Sequence, residues 1–362
     1  MYIGSLSRGG AERVMCTLAE HLTGRGHSVV IATIFRSENE YTLPDNVKRV
    51  FTEPDPSMLP GSRPGNLKAR VEYLKKTFKD EAPDVVLSFM GKNNIMALKV
   101  CTALKIPCVV SVRALPELEY YNLPMRLSAR FLFPKASAVV FQTERASLFF
   151  SSSVRRKAVN IKNPIAPEFT PDLGETVSSG MRILTAGRLD ENKETALIIK
   201  AFANVNKNFP GSRLTVCGDG PLREELISLT EDLGVKDFVS FAGSVPDMVP
   251  FYTDADIFVL MSDTEGMPNA LIEAMSMGLA CISTDCPAGA PAELMEDGRT
   301  GYLIPLKDVN ALEDRLEKLL SDKEHASGMG RAASESVRKM LDKDLILKQW
   351  EDVLLKAASE TH

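Results

Sequence analysis

Several familiar features are missing from this chain of 362 residues. No apolar run reaches the ~18 residues that a membrane-spanning helix needs. The six cysteines form no C-x-x-C pair, so a thiol-bound metal or a redox motif is not expected, and reduced cysteines in a cytoplasmic protein are. The start, MYIGSLSRGG, has neither the basic opening nor the long apolar stretch of a secretion signal. The basic stretches carry no interleaved aromatics, which argues against nucleic acid as a partner. Histidine is scarce: His21, His27, His325 and His362 are all there are.

Charge is present but unevenly divided. The net charge is −5. Residues 1–164 hold 24 Lys+Arg against 14 Asp+Glu, and residues 165–362 hold 19 against 34, so the first part is +10 and the second −15. A basic N-terminal half suits an anionic partner, such as a lipid surface or a phosphorylated substrate. In NLKARVEYLKKTFKD, Leu67, Val71, Leu74 and Phe78 recur at helical spacing among Lys68, Arg70, Lys75, Lys76 and Lys79. Core contact is the expectation for that apolar stripe, with the lysines in solvent.

The length implies two domains. Short β-branched runs alternate with helical stretches throughout. Runs such as DVVLSFM, CVVSVRA, AVVFQT, RILTAGR, RLTVCGDG, IFVLMSD and ACISTD read as buried parallel strands. The expected architecture is α/β: two Rossmann-like, doubly wound parallel-sheet domains facing a central cleft. Residues 1–164 form the first and 181–342 the second. The Pro-, Gly- and Ser-rich stretch 165–180 reads as a linker. The helix at about 343–362 is expected to pack back onto the first domain. MYIGSL offers few apolar residues for a central strand and reads as short or shortened.

Ligands of open α/β sheets bind beyond the carboxyl ends of the strands, so the motifs there matter most. Gly9-Gly10 joins the first strand to a helix, where glycine lets backbone N–H groups approach a ligand and the helix start favours phosphate. It is not a G-x-G-x-x-G fingerprint, so no dinucleotide cofactor is indicated. TAGRLDENKET places Gly187, Arg188 and Lys193 at one strand end. Helix starts prefer acids, so two cations there point to a diphosphate. Gly218, Asp219 and Gly220 close another strand before Pro221, which reads as the first residue of a helix. Asp219 is either a cap or a ligand contact. In SDTEGMPNALIEAMSMG, Glu265 and Glu273 are the only two charges in an otherwise apolar helix start beyond Asp263. The backbone from Gly266 through Met267, Pro268, Asn269, Ala270 and Leu271 reads as a diphosphate seat, with the two acids reaching sugar hydroxyls. Asp254 and Asp256 form a D-x-D that reads as structural, and no metal site is expected.

Together these motifs give a resemblance over nearly the whole chain. The sequence resembles the family 4 retaining glycosyltransferases of group 1 type and GT-B fold. It does so through Gly9-Gly10-Ala11-Glu12-Arg13, Gly187-Arg188 with Lys193, Gly218-Asp219-Gly220, and Glu265 with Glu273. The resemblance implies a nucleotide-sugar donor, most readily a UDP-sugar, in the second domain and an acceptor in the first, with no metal or other cofactor. It assigns Glu265 to the transferred sugar, Glu273 to the ribose, and Arg188 and Lys193 to the leaving diphosphate. Gly10 would approach the phosphates or the acceptor, and Ser244 and Val245 the base. Many relatives carry a histidine where this chain has Arg113, so Arg113 is expected to bind an acceptor phosphate or sugar hydroxyl and the catalytic base is unassigned. The implied acceptor is a glycan or a polyprenyl-diphosphate-linked oligosaccharide used in surface polysaccharide synthesis. That places the enzyme in the cytoplasm, with peripheral contact to the anionic inner face of the membrane. A UDP-sugar epimerase and a non-catalytic partner subunit of the same fold are the alternatives.

Overall fold

The structure, a computed structural model, describes residues 1–7, 9–172 and 181–360. They divide into two compact units, Met1–Pro164 with Asp344–His362, and Ile165–Lys343. Each is built on one parallel sheet with apolar clusters on both faces.

The first sheet has seven strands: β1 (Tyr2–Ile3), β2 (Val30–Thr33), β3 (Lys48–Phe51), β4 (Val86–Phe89), β5 (Cys108–Val112), β6 (Ala138–Phe141) and β7 (Ala158–Asn160). Their order is β3-β2-β1-β4-β5-β6-β7. The chain winds outward from β1 in one direction, then returns to β4 and winds in the other. The switch point therefore lies between β1 and β4. β4 and β5 are buried along their whole length, which is why they are written as continuous apolar runs. β3 and β7 are edge strands, and KRVF and AVN lack that pattern because one side of an edge meets water.

Two residues suffice for β1 because both are core: Tyr2 packs edge-on against Phe78, and Ile3 enters the opposite cluster. In the helix Arg63–Glu81, Val71, Leu74 and Phe78 are buried, so the stripe read from the sequence does contact the core, while Leu67 is exposed. The helix Lys343–Ser359 lies almost wholly in this unit. Its Trp350 is fully buried, 5.4 Å from the Phe89 ring, and joins the cluster that holds Ile3 and Val109.

The second sheet has six strands: β8 (Arg182–Ala186), β9 (Arg213–Cys217), β10 (Val239–Gly243), β11 (Ile257–Leu260), β12 (Ala280–Thr284) and β13 (Tyr302–Ile304). The order β10-β9-β8-β11-β12-β13 puts its switch point between β8 and β11. The described part of the stretch that reads as a linker is packed: Ile165 and Phe169 are buried in this unit's core, with Phe169 edge-on to Tyr252 at 5.8 Å. The remainder of that stretch, residues 173–180, lies outside the described residues.

Candidate active site

The switch point of the second sheet gathers the expected residues. β8 delivers Gly187 and Arg188, with Lys193 a short turn later. β11 delivers Ser262, Asp263, Thr264 and Glu265 ahead of the helix Asn269–Ser276. Lys193 and Glu265 form a direct ion pair, and Ser262 Oγ donates to the same carboxylate oxygen at 2.6 Å. Both charged side chains are largely shielded, so the pair has little competition from water. Arg188 is different. It is exposed and held only loosely, 3.6 Å from Asp190.

The two loops are fastened by a residue that the sequence reading passed over. Asn192 donates from Nδ2 to the Thr264 carbonyl at 3.1 Å. Its Oδ1 accepts from Thr264 N at 3.0 Å and from Thr264 Oγ1 at 2.7 Å, and its own carbonyl accepts from Asp263 N at 2.8 Å. A neutral amide can both donate and accept, which a loop-to-loop staple requires. Thr264 carries its half of the match 72 residues downstream, a pairing that composition does not reveal.

Glu273 sits in the second turn of the helix Asn269–Ser276 and is buried. Tyr252 Oη donates to its Oε2 at 3.1 Å and also approaches the Ala270 carbonyl at 3.2 Å. Burial first, and the neighbouring carboxylate second, push the Tyr252 hydroxyl well above its ordinary pKa, so it stays a donor. Tyr252 is a second residue that sequence reasoning missed, because it lies in a helix before β11. The intervening backbone is only partly a ring of donors. Pro268 has no N–H, and Met267 and Leu271 bury their side chains in the core. The first in-helix bond is from Ile272 N to the Pro268 carbonyl at 3.1 Å, which puts the N–H groups of Asn269, Ala270 and Leu271 in the helix's first turn, ahead of its ladder.

Gly218 and Gly220 are required by packing. Gly218 has φ +134°, and a Cβ there would overlap the Gly187 carbonyl; one at Gly220 would overlap the Leu189 carbonyl. Backbone bonds tie the loops together: Gly187 N to Cys217 O at 3.0 Å and Leu189 N to Asp219 O at 3.0 Å. The glycines therefore let the β9 loop lie against the β8 loop that carries Arg188. Asp219 is exposed and accepts from Gly220 N at 2.8 Å. The following helix begins at Arg223, two residues beyond Pro221, so Asp219 does not cap it. Val245 lies in the loop after β10 and packs, half-buried, against the cluster that holds Tyr252. Asp254 pairs with Arg182, and Asp256 accepts from Arg182 N at 2.9 Å, which ties both to the start of β8. Among the described residues no group of three or more His, Cys, Asp or Glu side chains converges as a metal site.

The remaining candidates lie in the first unit. Gly10 opens the helix Gly10–Gly24 behind Gly9, and Glu12 stands in its first turn, where burial raises its carboxyl pKa. Arg113 follows β5 and is buried over the Phe89 ring at 4.8 Å. Its Nη2 donates to Asn163 Oδ1 at 2.5 Å, an oxygen that also accepts from Gln142 Nε2 at 2.9 Å. Nε and Nη1 of Arg113 have no hydrogen-bond partner among the described residues. Burial lowers the guanidinium to about 10, against the pull of Glu119 and Glu12, so it remains a cation. Glu119 accepts from the backbone N–H groups of Arg113 and Ala114, both at 2.8 Å, and burial raises its carboxyl to about 7. It went unread because it belongs to a one-turn helix, Pro116–Glu119, whose fold-back toward Arg113 leaves no periodic signal.

Known proteins resemble the chain along its length. Residues 8–159 match the family model described as Glycosyltransferase Family 4, and residues 177–336 match Glycosyl transferases group 1. A Campylobacter jejuni protein named as a GalNAc-alpha-(1->4)-GalNAc-alpha-(1->3)-diNAcBac-PP-undecaprenol alpha-1,4-N-acetyl-D-galactosaminyltransferase is 29% identical over 323 residues, 88% of each chain. The amylovoran biosynthesis glycosyltransferase AmsD of Erwinia amylovora is 25% identical over 356 residues, 97% of each. Among solved structures, Anabaena HepE in complex with UDP and glucose superposes with a TM-score of 0.80 over 98% of both chains at 17% identity. A Rickettsia africae glycosyltransferase gives 0.81 over 98% of this chain and 97% of that one at 15% identity. With two parallel sheets of this order and both family models matched along its length, the chain belongs to the family 4, group 1 glycosyltransferases of GT-B fold.

Proposed function

We propose that the enzyme moves a hexosyl or N-acetylhexosaminyl group from a UDP-sugar to a hydroxyl of a glycan or polyprenyl-diphosphate-linked oligosaccharide, with retention at the anomeric carbon. The observation that carries this reading is the shielded Lys193–Glu265 pair just ahead of the N-terminus of the helix Asn269–Ser276, with buried Glu273 one turn further on. The names of the relatives support the acceptor class: one acts on an undecaprenyl-diphosphate-linked glycan and another serves in amylovoran synthesis. HepE was crystallised with UDP and glucose, which supports the donor.

Chemically, the anomeric C–O bond to the β-phosphate breaks and a bond to the acceptor oxygen forms. The largest barrier is charge separation between an oxocarbenium-like sugar and the departing diphosphate. Arg188, Lys193 and the first-turn N–H groups of the helix Asn269–Ser276 meet that charge. Glu265 then does two things: it holds Lys193 in place and offers its carboxylate to the sugar hydroxyls. The acceptor proton passes to the departing phosphate oxygen on the same face, so that no protein nucleophile is needed. Glu273, held by Tyr252, takes the ribose hydroxyls. Arg113, with Nε and Nη1 unspent, takes an anionic or hydroxyl group of the acceptor. In this reading transfer needs no metal and takes place on the cytoplasmic face of the membrane; no helix among the described residues is long and apolar enough to cross one.

The test is a thermal-shift panel of UDP-, GDP- and ADP-sugars with and without EDTA, followed by NMR of the product's anomeric proton. A shift confined to UDP-sugars, insensitive to EDTA and lost in Glu273→Ala, is expected. A shift with another base, dependence on metal, or an inverted linkage would each overturn the corresponding part.

A further inference from the structure

The helix Leu123–Leu132 is apolar on two sides. Its inner side is explained: Ala129 is buried, and Met125 and Leu132 pack against the core of the first unit. Its outer side has no such explanation. Leu123, Leu127 and Phe131 follow one another every four residues and so share a face. They are 68%, 45% and 66% exposed. Leu118 and Tyr121, just before the helix, are 58% and 59% exposed. A lone exposed leucine means little, but five large apolar side chains within fourteen residues form a patch.

The charges around the patch identify its occupant. From residue 120 to residue 135 the charged side chains are Arg126, Arg130 and Lys135, with no acid among them. All three are exposed. The nearest exposed acid on the N-terminal side is Glu117, ahead of the apolar cluster. The surface is the convex outside of a helix, with arginines beside the apolar row. Apolar side chains that protrude, ringed by cations, suit the boundary between anionic headgroups and acyl chains.

We propose that this face, Leu118 to Phe131 with Arg126 and Arg130, docks the enzyme on an anionic lipid bilayer. It would deliver a membrane-held acceptor to the first unit, a purpose that rests on the lipid-linked reading given above. The basic helix Arg63–Glu81 is a poorer anchor: its apolar stripe is spent on the core, and Arg70 is tied up by a two-pronged ion pair with Glu53 at 2.6–2.9 Å.

The experiment is flotation of the full chain with vesicles of phosphatidylcholine alone or with phosphatidylglycerol. Binding is expected only with the anionic lipid and is expected to weaken with salt. The triple substitution Leu123→Ser, Leu127→Ser, Phe131→Ser should cut partitioning by about tenfold or more. Arg130→Glu should cut it by about fivefold or more. Melting temperature and the UDP-induced shift should stay at wild-type values in both, so loss of docking is separable from loss of the donor site. Wild-type partitioning in both variants would overturn the assignment, as would equal binding to neutral vesicles. A wild-type dimer that becomes monomeric in the triple variant, with no vesicle binding by either, would give the face to a second copy of the chain instead.

Discussion

Glu119 makes the sharpest statement at the scale of a single residue. Its carboxyl is raised from the ordinary 4.5 to about 7 by burial. A group that holds its proton more tightly when folded adds stability below its unfolded pKa, and loses it as pH rises to the folded value. Wild-type stability should therefore fall between about pH 4.5 and 7, by on the order of 3 kcal/mol from this group. In Glu119→Gln the urea midpoint should vary less over that range, and an unchanged pH dependence would contradict the burial argument. Tyr252→Phe removes one donor from the buried Glu273, which costs about 1–3 kcal/mol. Calorimetric UDP affinity should drop about tenfold at pH 7, and wild-type affinity would deny Tyr252 that role. For Lys193→Ala, turnover should fall by a factor of about 100 or more if the ion pair meets the leaving charge. Glu265→Gln in that background should then add less than it does alone, because the two act as a unit.

At the scale of elements, the site depends on loops that touch each other. The β8 and β9 loops meet backbone to backbone only because positions 218 and 220 lack a Cβ. Gly218→Ala would combine a steric overlap with a strained backbone at φ +134°. A cost of about 2 kcal/mol or more is expected, with loss of the UDP-induced thermal shift. A variant that melts like wild type and still binds UDP would show that the loops have room to part. Asn192 does the equivalent work between the β8 and β11 loops through its side chain and its own carbonyl.

At the scale of the whole molecule, the C-terminal helix is structural rather than an appendage. Trp350 is fully buried against Phe89 and belongs to the core cluster that contains β1 and β5 residues. Trp350→Ala should destabilise the first unit by about 3–5 kcal/mol. Limited proteolysis is the direct readout: faster cleavage within residues 1–164 is expected, and cleavage confined to the C-terminal helix would deny the coupling. Glu351 adds a polar contact, with His27 Nε2 3.1 Å from its carboxylate and Arg25 at 3.5 Å.

The alternation of strands and helices, hence two parallel sheets, was legible from residue order alone, because fully buried strands must be written as apolar runs. Residue order also marked the strand ends where Arg188, Lys193, Glu265 and Glu273 stand, since charge and glycine there break those runs. Edge strands β3 and β7 escaped notice because water on one side removes the pattern. It took the folded chain to show that Lys193 and Glu265 pair, that Asn192 and Tyr252 hold the acids' surroundings in place, and that Glu119 folds back on Arg113. Each of those contacts joins segments whose separation in sequence carries no periodicity. The same limit applies to the outer face of Leu123–Leu132: its apolar spacing is legible, but which side the core covers is known only once the helix is docked.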